Sequence, residues 1–289
     1  MPRNARDHYR PILHLRHFTD EAGLLWTYDR SGRVAPFQQS APNVGFEKGL
    51  YSIVEPPDED AAGFENWLND EIDGPAALAL DTAATEPKLA PKVRSVLSVF
   101  IAAQDLRTPR ARNRVLSLYR AALDGTWTGW RSKPDELAAA ISRDHGVRHD
   151  PAAILEMLNE FKFDVTTNAW LDFIQSMINK VGERIYRMRW LRVYSADGVD
   201  FVTSDVGIAK CDGRADAFTS WDMGFTRGRS VWVFPLKPEV ALVITPEDGP
   251  GRSGPGKSAW IRMVNRHMWN DADRWVFSRQ ALPPSGPDA

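Results

Sequence analysis

A chain of 289 residues that is 43% hydrophobic and 26% charged can build a sizeable core and is excluded from the wholly disordered class. Its 36 Lys and Arg against 38 Asp and Glu leave a net charge of −2, so no global basic field holds nucleic acid, although a local basic patch is compatible with that total. One cysteine, Cys211, removes any intramolecular disulfide framework and any thiolate cage, the opening MPRNARDHYRP has no apolar signal core, and no run of eighteen apolar residues occurs; a cytoplasmic protein with no membrane partner is expected.

Residues 1–56 read as a β-rich opening, with a strand at Leu24 to Tyr28, a turn at Ser31-Gly32 and a return strand at Val34 to Phe37. From about residue 60 the spacing turns helical: Phe64, Leu68 and Ile72 share a stripe that Gly74-Pro75 interrupts. A second helix fits 91–106, with Val93, Leu97, Phe100 and Ile101 on one face. Thr108-Pro109 supplies a hydroxyl N-cap and a proline at the first helical position, opening a helix to about 123. Gly125 to Lys133 is read as a Trp-bearing loop, and Pro134 and Pro151 each open a short helix. The longest helix is expected over 165–186, on the stripe Trp170, Ile174, Met177, Val181 and Ile185.

After it the period shortens to that of strands: Met188 to Tyr194, Val199 to Thr203, Val231 to Leu236 and Val240 to Thr245. A Pro/Gly loop over 246–257 leads to a last helix near 258–272 and a disordered tail over 281–289. The expected fold is α+β in a single domain over 1–280: a small N-terminal β-hairpin element over 1–56, a helical middle over 60–186, and a C-terminal mostly antiparallel sheet with a final helix over 187–280.

Polar residues on apolar faces are the informative ones, because burying them unpartnered costs several kcal/mol. Glu71 lies i+3 from Leu68 and i+7 from Phe64, Gln104 extends the stripe of Leu97 and Phe100, and Arg112 precedes Val115, Tyr119 and Ala122 at i+3, i+7 and i+10. Each also suits a satisfied core pair or a snorkelling side chain. Thr203-Ser204-Asp205 ends a strand, where a carboxylate is offered to a cleft or an ST turn simply closes the strand. Asn265 sits amid Ile261, Val264 and Met268, where a buried amide would tie down loop backbone. His8, His14 and His17 fit no zinc spacing, and His8 is the one held stiffly, by Tyr9 and Pro11.

Gly251 to Ser258 (GRSGPGKS) matches the phosphate-loop expression, with Lys257 and Ser258 as its phosphate and Mg²⁺ contacts. Only 31 residues follow Ser258, too few for the parallel strands that such a fold places next. Nucleotide binding through 251–258 is therefore the weakest of the readings.

Several segments in order resemble one bacterial family: HYRPILHLRHF at 8–18, Leu24 to Asp29, Gly45-Phe46-Glu47 to Tyr51, QDLRTPRAR at 104–112, Thr203-Ser204-Asp205, Phe234-Pro235-Leu236 and Asn265. Over nearly the whole chain they resemble the family called domain of unknown function 4238, whose opening reads like H-Y-V-P, its middle like Q-x-x-R-T-P and its end like T-S-D-x-P and F-P-L. This chain departs by carrying Arg10 where Val is usual and Gly207 where Pro commonly follows the TSD. The resemblance implies a fold and a residue set, and no reaction: His8, Glu71, Gln104, Arg107, Arg112, Asp205 and Asn265 fall at or near its motif positions.

Two readings of that set compete. In the first the protein is a candidate phosphodiester hydrolase acting on RNA, DNA or another phosphate-containing substrate. Arg107 and Arg112, with Gln104 and Asn265, would bind phosphate, Asp205 and Glu71 would act as general base or hold Mg²⁺ or Mn²⁺, and His8 would transfer protons. In the second it is a non-catalytic binding or regulatory protein, with Arg112 paired to Glu71 or Asp205 and the two amides satisfying backbone.

Overall fold

A computed structural model describes residues 6–52, 63–86, 88–162, 164–212, 230–247, 253–283 and 286. The N-terminal part carries β1 (Arg6–His8), α1 (Ile12–Leu15), β2 (Leu24–Asp29), β3 (Phe37–Ser40) and β4 (Phe46–Lys48). The helical part follows with α2 (Gly63–Trp67), a π-helical segment over Leu68–Asp73, α3 (Gly74–Thr85), α4 (Pro91–Leu106), α5 (Pro109–Arg131), α6 (Pro134–His145), α7 (Pro151–Glu160) and α8 (Thr167–Arg187). The last part holds β5 (Arg189–Tyr194), β6 (Thr203–Ser204), β7 (Ala209–Asp212), β8 (Ser230–Lys237), β9 (Val240–Thr245), β10 (Gly254–Pro255), α9 (Ser258–Asp271) and β11 (Trp275–Ser278). The class is α+β, with mostly antiparallel strands, as the sequence indicates.

The C-terminal strands do not make one sheet. Strands β10-β5-β9-β8-β7 form a five-stranded sheet in which only the β10–β5 pair is parallel. Strand β6 leaves it and joins β11, β2 and β3 in a four-stranded sheet of order β3-β2-β11-β6, so the N-terminal hairpin is completed by the end of the chain. Sequence periodicity has no view of this, because β6 is two residues long and β11 is stabilised only by the partners on either side of it. The return strand begins at Phe37 rather than Val34, since Pro36 has no amide to give the ladder.

The five-stranded sheet is covered on both faces, which accounts for its continuous apolar runs. Trp232, Phe234, Leu242 and Ile244 point into the core shared with α3, α4 and α8, while the alternate residues Val233, Ala241 and Val243 meet Ile261, Val264 and Met268 of α9. On α8 the expected Trp170, Ile174, Val181 and Ile185 are buried together with Leu171, Ile178 and Gly182, and Met177 packs against the same core at its partly buried edge.

Two expectations for the helices and one for the tail are corrected. Helix α5 does not stop near 123 but runs 23 residues to Arg131 and exceeds the 21 residues of α8. Gly125 and Gly129 each cost about 1 kcal/mol in a helix, and tertiary contacts offset this: Trp127 Nε1 donates to the Leu158 carbonyl at 3.0 Å, and Arg131 Nη2 to the same oxygen at 2.7 Å. Gly74-Pro75 does not end its helix either. Pro75 lacks an amide and its ring crowds the preceding turn, and the chain answers with a π turn in which the Gly74 amide donates to Asn69, five residues back. A Cβ at position 74 would stand 3.0 Å from that carbonyl oxygen, so glycine permits the turn. Finally, Leu282 packs against the α9 core and its amide donates to the Tyr28 hydroxyl at 2.5 Å; of the tail expected to be disordered, residues 284–285 and 287–289 lie outside the described residues.

A candidate cleft between the first strand and the π turn

The π turn decides which carboxylate faces inward. It holds one more residue per turn than an α-helix, so Leu68 and Asp73 share a face while Glu71 is turned out to solvent. The expectation that Glu71 lies on the apolar face assumed regular α-helical spacing and is corrected here. Asp73 is buried in its place, and both its oxygens accept from Arg107 Nη1, at 3.0 and 2.9 Å.

Arg107 occupies the link between α4 and α5, where the Thr108 side chain caps α5 by accepting from the Ala111 amide at 3.1 Å. Its guanidinium is wholly buried, and Nε and Nη2 have no hydrogen-bond partner among the described residues. With Asp73 it lines a cleft of about 320 Å³ whose walls also carry His8, Arg16, Glu65 and Asn69. His8 ends β1, packs its ring on Phe46 at 5.5 Å and donates from Nε2 to the Pro42 carbonyl at 3.2 Å. Burial holds its imidazole below the ordinary histidine value; the Pro42 carbonyl works the other way, and the Arg107 charge adds to the lowering. Two of the seven sequence-selected residues, His8 and Arg107, thus meet at one cleft. The other five do not line it.

Gln104, one helical turn before Arg107, faces a second buried guanidinium. Arg10 Nη1 donates to Gln104 Oε1 at 2.8 Å, and Nη2 lies 2.9 Å from His14 Nδ1 and 3.3 Å from Thr203 Oγ1. The His14 Nε2 lies 2.8 Å from the Pro235 carbonyl, which only accepts, so the proton is on Nε2 and Nδ1 accepts from Arg10. Burial, then the Arg10 charge, hold His14 well below the ordinary histidine value, so it is neutral at pH 7. Burial and the charge of Arg107 bring the Arg10 guanidinium down to about 9. Gly207, in the left-handed region at φ +73°, leaves the room: a Cβ there would stand 2.1 Å from Arg10 Nη1. Arg10 and Gly207 therefore pack against each other.

The remaining residues are engaged elsewhere. Asp205 accepts from the amides of Asp273, Arg274 and Trp275 at 2.8, 2.6 and 2.7 Å, pinning the link between α9 and β11. Burial pushes its carboxyl up to about 6 against the pull of those amides. Ser204 Oγ accepts from the Gly207 amide at 3.1 Å, closing the strand with an ST turn. Asn265 accepts from the Val202 amide at 3.1 Å and donates to the Asp200 carbonyl at 2.7 Å, tying α9 to the loop before β6. Arg112 pairs with Glu47 of β4 at 2.8 Å, with its side chain 21% exposed; it reaches neither Glu71 nor Asp205, because Tyr119, on which the inward stripe depended, is itself exposed.

Asp205 and Glu71 are not brought together as cation ligands, and among the described residues no three His, Cys, Asp or Glu side chains assemble as a metal site. Of the phosphate-loop match, Gly251 and Arg252 lie outside the described residues. Gly254-Pro255 pairs with Val193-Tyr194 of β5, and the Gly256 amide donates to the Tyr194 carbonyl at 2.9 Å, so that amide does not face a phosphate. Sequence reasoning missed Arg10, His14 and Asp73. The signal for Asp73 was Gly74-Pro75, a pair read as interrupting the stripe, which here comes with a π turn.

The family is settled by comparison. A family model described as protein of unknown function (DUF4238) matches residues 6–281, and the chain belongs to that family. Neither the curated proteins nor the solved structures contain a match. Among the described residues no helix is long and apolar enough to cross a membrane.

Proposed function

We propose that the protein is a hydrolase acting on a phosphate-containing substrate such as RNA or DNA, with its site in the cleft of His8, Asp73 and Arg107. The carrying observation is that Arg107, a buried guanidinium two of whose nitrogens have no hydrogen-bond partner among the described residues, lines the same cleft as an imidazole from a distant segment. In this reading Arg107, seconded by Arg16 at the exposed rim, holds phosphate oxygens, and Asp73 positions Arg107. His8, neutral at pH 7, takes the proton of an attacking water as the water oxygen bonds to phosphorus and the P–O bond to the leaving group breaks. The leaving oxygen then takes up a proton. Mg²⁺ or Mn²⁺ would assist by balancing charge on the phosphate.

The test is hydrolysis of single-stranded RNA and DNA and of aryl phosphate esters by the purified protein, with Mg²⁺, with Mn²⁺ and with chelator. His8→Ala and Arg107→Lys are each expected to lose at least about a hundredfold in rate. Hydrolysis that survives both changes refutes the assignment. A second reading, of a non-catalytic protein with a structural polar network, is favoured by Asp205 and Asn265, whose side chains are bonded to backbone. It predicts no turnover under any of these conditions and large losses of melting temperature when those two residues are replaced.

A further inference from the structure

Two unlike sets of side chains line the cleft. Pro11, Ile12 and Leu13, at the start of α1, and Leu68, in the π turn, make it apolar, and Ile12 and Leu13 are only half-buried. A phosphate has no use for such walls, since its oxygens call for donors and charge. The faces of a nucleobase do use them, and a base offers its faces only when it is neither paired nor stacked.

The polar lining that water reaches has the complementary chemistry. Arg16, in the turn after α1, and Asn69, in the π turn, are exposed, and among the described residues neither side chain has a hydrogen-bond or ion-pair partner. A free guanidinium suits a phosphate oxygen, and a free amide, with donors and an acceptor, suits the edge of a base. Glu65, also in the lining, is engaged within the protein and is available to neither. The cleft volume of about 320 Å³ lies at the lower end of the roughly 300–1,000 Å³ that ligand pockets span, so it suits one nucleotide and not a base pair. A net charge of −2 supplies no field to hold a duplex by its backbone, which leaves selection to the cleft itself.

We infer that the cleft takes one unpaired nucleotide of a single strand, its base against Ile12, Leu13 and Leu68, a phosphate on Arg16 and the base edge on Asn69, and that a duplex is not its ligand. This rests on the reading of the cleft as a phosphate site, and not on hydrolysis. Arg16 then supplies affinity without regard to sequence, whereas Asn69 discriminates among bases.

Fluorescence anisotropy with the full chain tests this in chelator, using short labelled RNA and DNA strands, the same strands annealed to their complements, and a DNA strand of abasic units. A single strand is expected to bind at least about tenfold more tightly than its duplex, and the abasic strand to lose most of that advantage. Arg16→Gln should weaken all single strands alike and flatten the slope of log K against log salt by about 0.7, the worth of one phosphate contact on a single strand. Asn69→Ala should change the ranking of the four homopolymer strands and leave the salt slope as it is. Both changes are at exposed positions, so the variants should melt with the wild type. A duplex bound as tightly as its single strand, an abasic strand bound as tightly as an intact one, or salt slope and base ranking untouched in both variants overturns the inference. If strands are nevertheless cleaved, the hydrolase reading stands alone. Single-strand preference without cleavage of any substrate keeps the inference and removes the hydrolase, and absence of both binding and hydrolysis removes both.

Discussion

Gly207→Ala isolates the tightest packing restraint around the buried guanidinium. The new methyl carbon would stand 2.1, 2.3 and 2.5 Å from Arg10 Nη1, Cζ and Nη2, far inside van der Waals contact, and the guanidinium is wholly buried. Left-handed backbone at φ +73° costs an alanine about 1–2 kcal/mol by itself. Displacing Arg10 breaks its bonds to Gln104, His14 and Thr203 and leaves a charge without partners in the core, which costs about 3–5 kcal/mol. The sum of about 4–7 kcal/mol is comparable to the whole stability of an ordinary domain. With Arg10→Met as background the clash and the charge are both gone, and Gly207→Ala should cost only the backbone strain of about 1–2 kcal/mol. Urea unfolding of the four proteins of this cycle gives the coupling, expected at about 3–5 kcal/mol. Additive effects, or a Gly207→Ala cost below about 2 kcal/mol in the wild-type background, would refute the account.

Asp73→Asn removes the carboxylate facing the buried Arg107 and should destabilise the protein by about 3–5 kcal/mol, read by the denaturation midpoint, whereas an unchanged midpoint means that Arg107 is otherwise compensated. Arg112→Ala breaks a pair that water reaches at both ends, so its cost should stay below about 1 kcal/mol; a large drop in melting temperature would contradict the exposed geometry. For acid stability, His14 binds its proton less tightly folded than unfolded, so its contribution is full above the unfolded value of 6.5 and is lost as pH falls below it, at up to about 1.4 kcal/mol per pH unit. Asp205, raised when folded, works the opposite way between its unfolded value of 3.8 and about 6, but equally in wild type and in His14→Gln. The difference between the two proteins' stability curves over pH 5–7 should therefore show the loss of one titrating group, and parallel curves would refute it. Asp205→Ala strips three backbone amides of their shared acceptor and should cost about 3–5 kcal/mol in urea unfolding, without altering phosphate binding at the cleft.

Local rules reached far into this fold. Thr108-Pro109, Pro134 and Pro151 marked helix starts because a proline at the first turn acts through its own ring, with a side-chain cap beside it at Thr108 and Asp150. The stripes of α4 and α8 and the apolar runs of β5, β8 and β9 were legible because one buried face repeats with the period of its own backbone. Asn265, an amide among apolar neighbours offered both as a tie for loop backbone and as a phosphate contact, bonds loop backbone.

What the tertiary structure decided has a common physical cause: contacts made between segments far apart. Gly125 and Gly129 stay helical because the Leu158 carbonyl receives Trp127 and Arg131, and β11 exists because β2 and β6 flank it. The carboxylate of the candidate site is Asp73 and not Glu71, since one π turn advances the face by a residue that α-helical spacing does not supply. Arg10, a polar residue in the bend between β1 and α1, gave no sign of burial, because the partners that make it tolerable, Gln104, Thr203 and the space over Gly207, lie 94 to 197 residues away. The sequence by itself thus determined the α+β class, the positions of most helices and strands, and the family; the pairing of sheets, the face of the π turn and the meeting of His8 with Arg107 were decided only where distant segments compete for the same buried space.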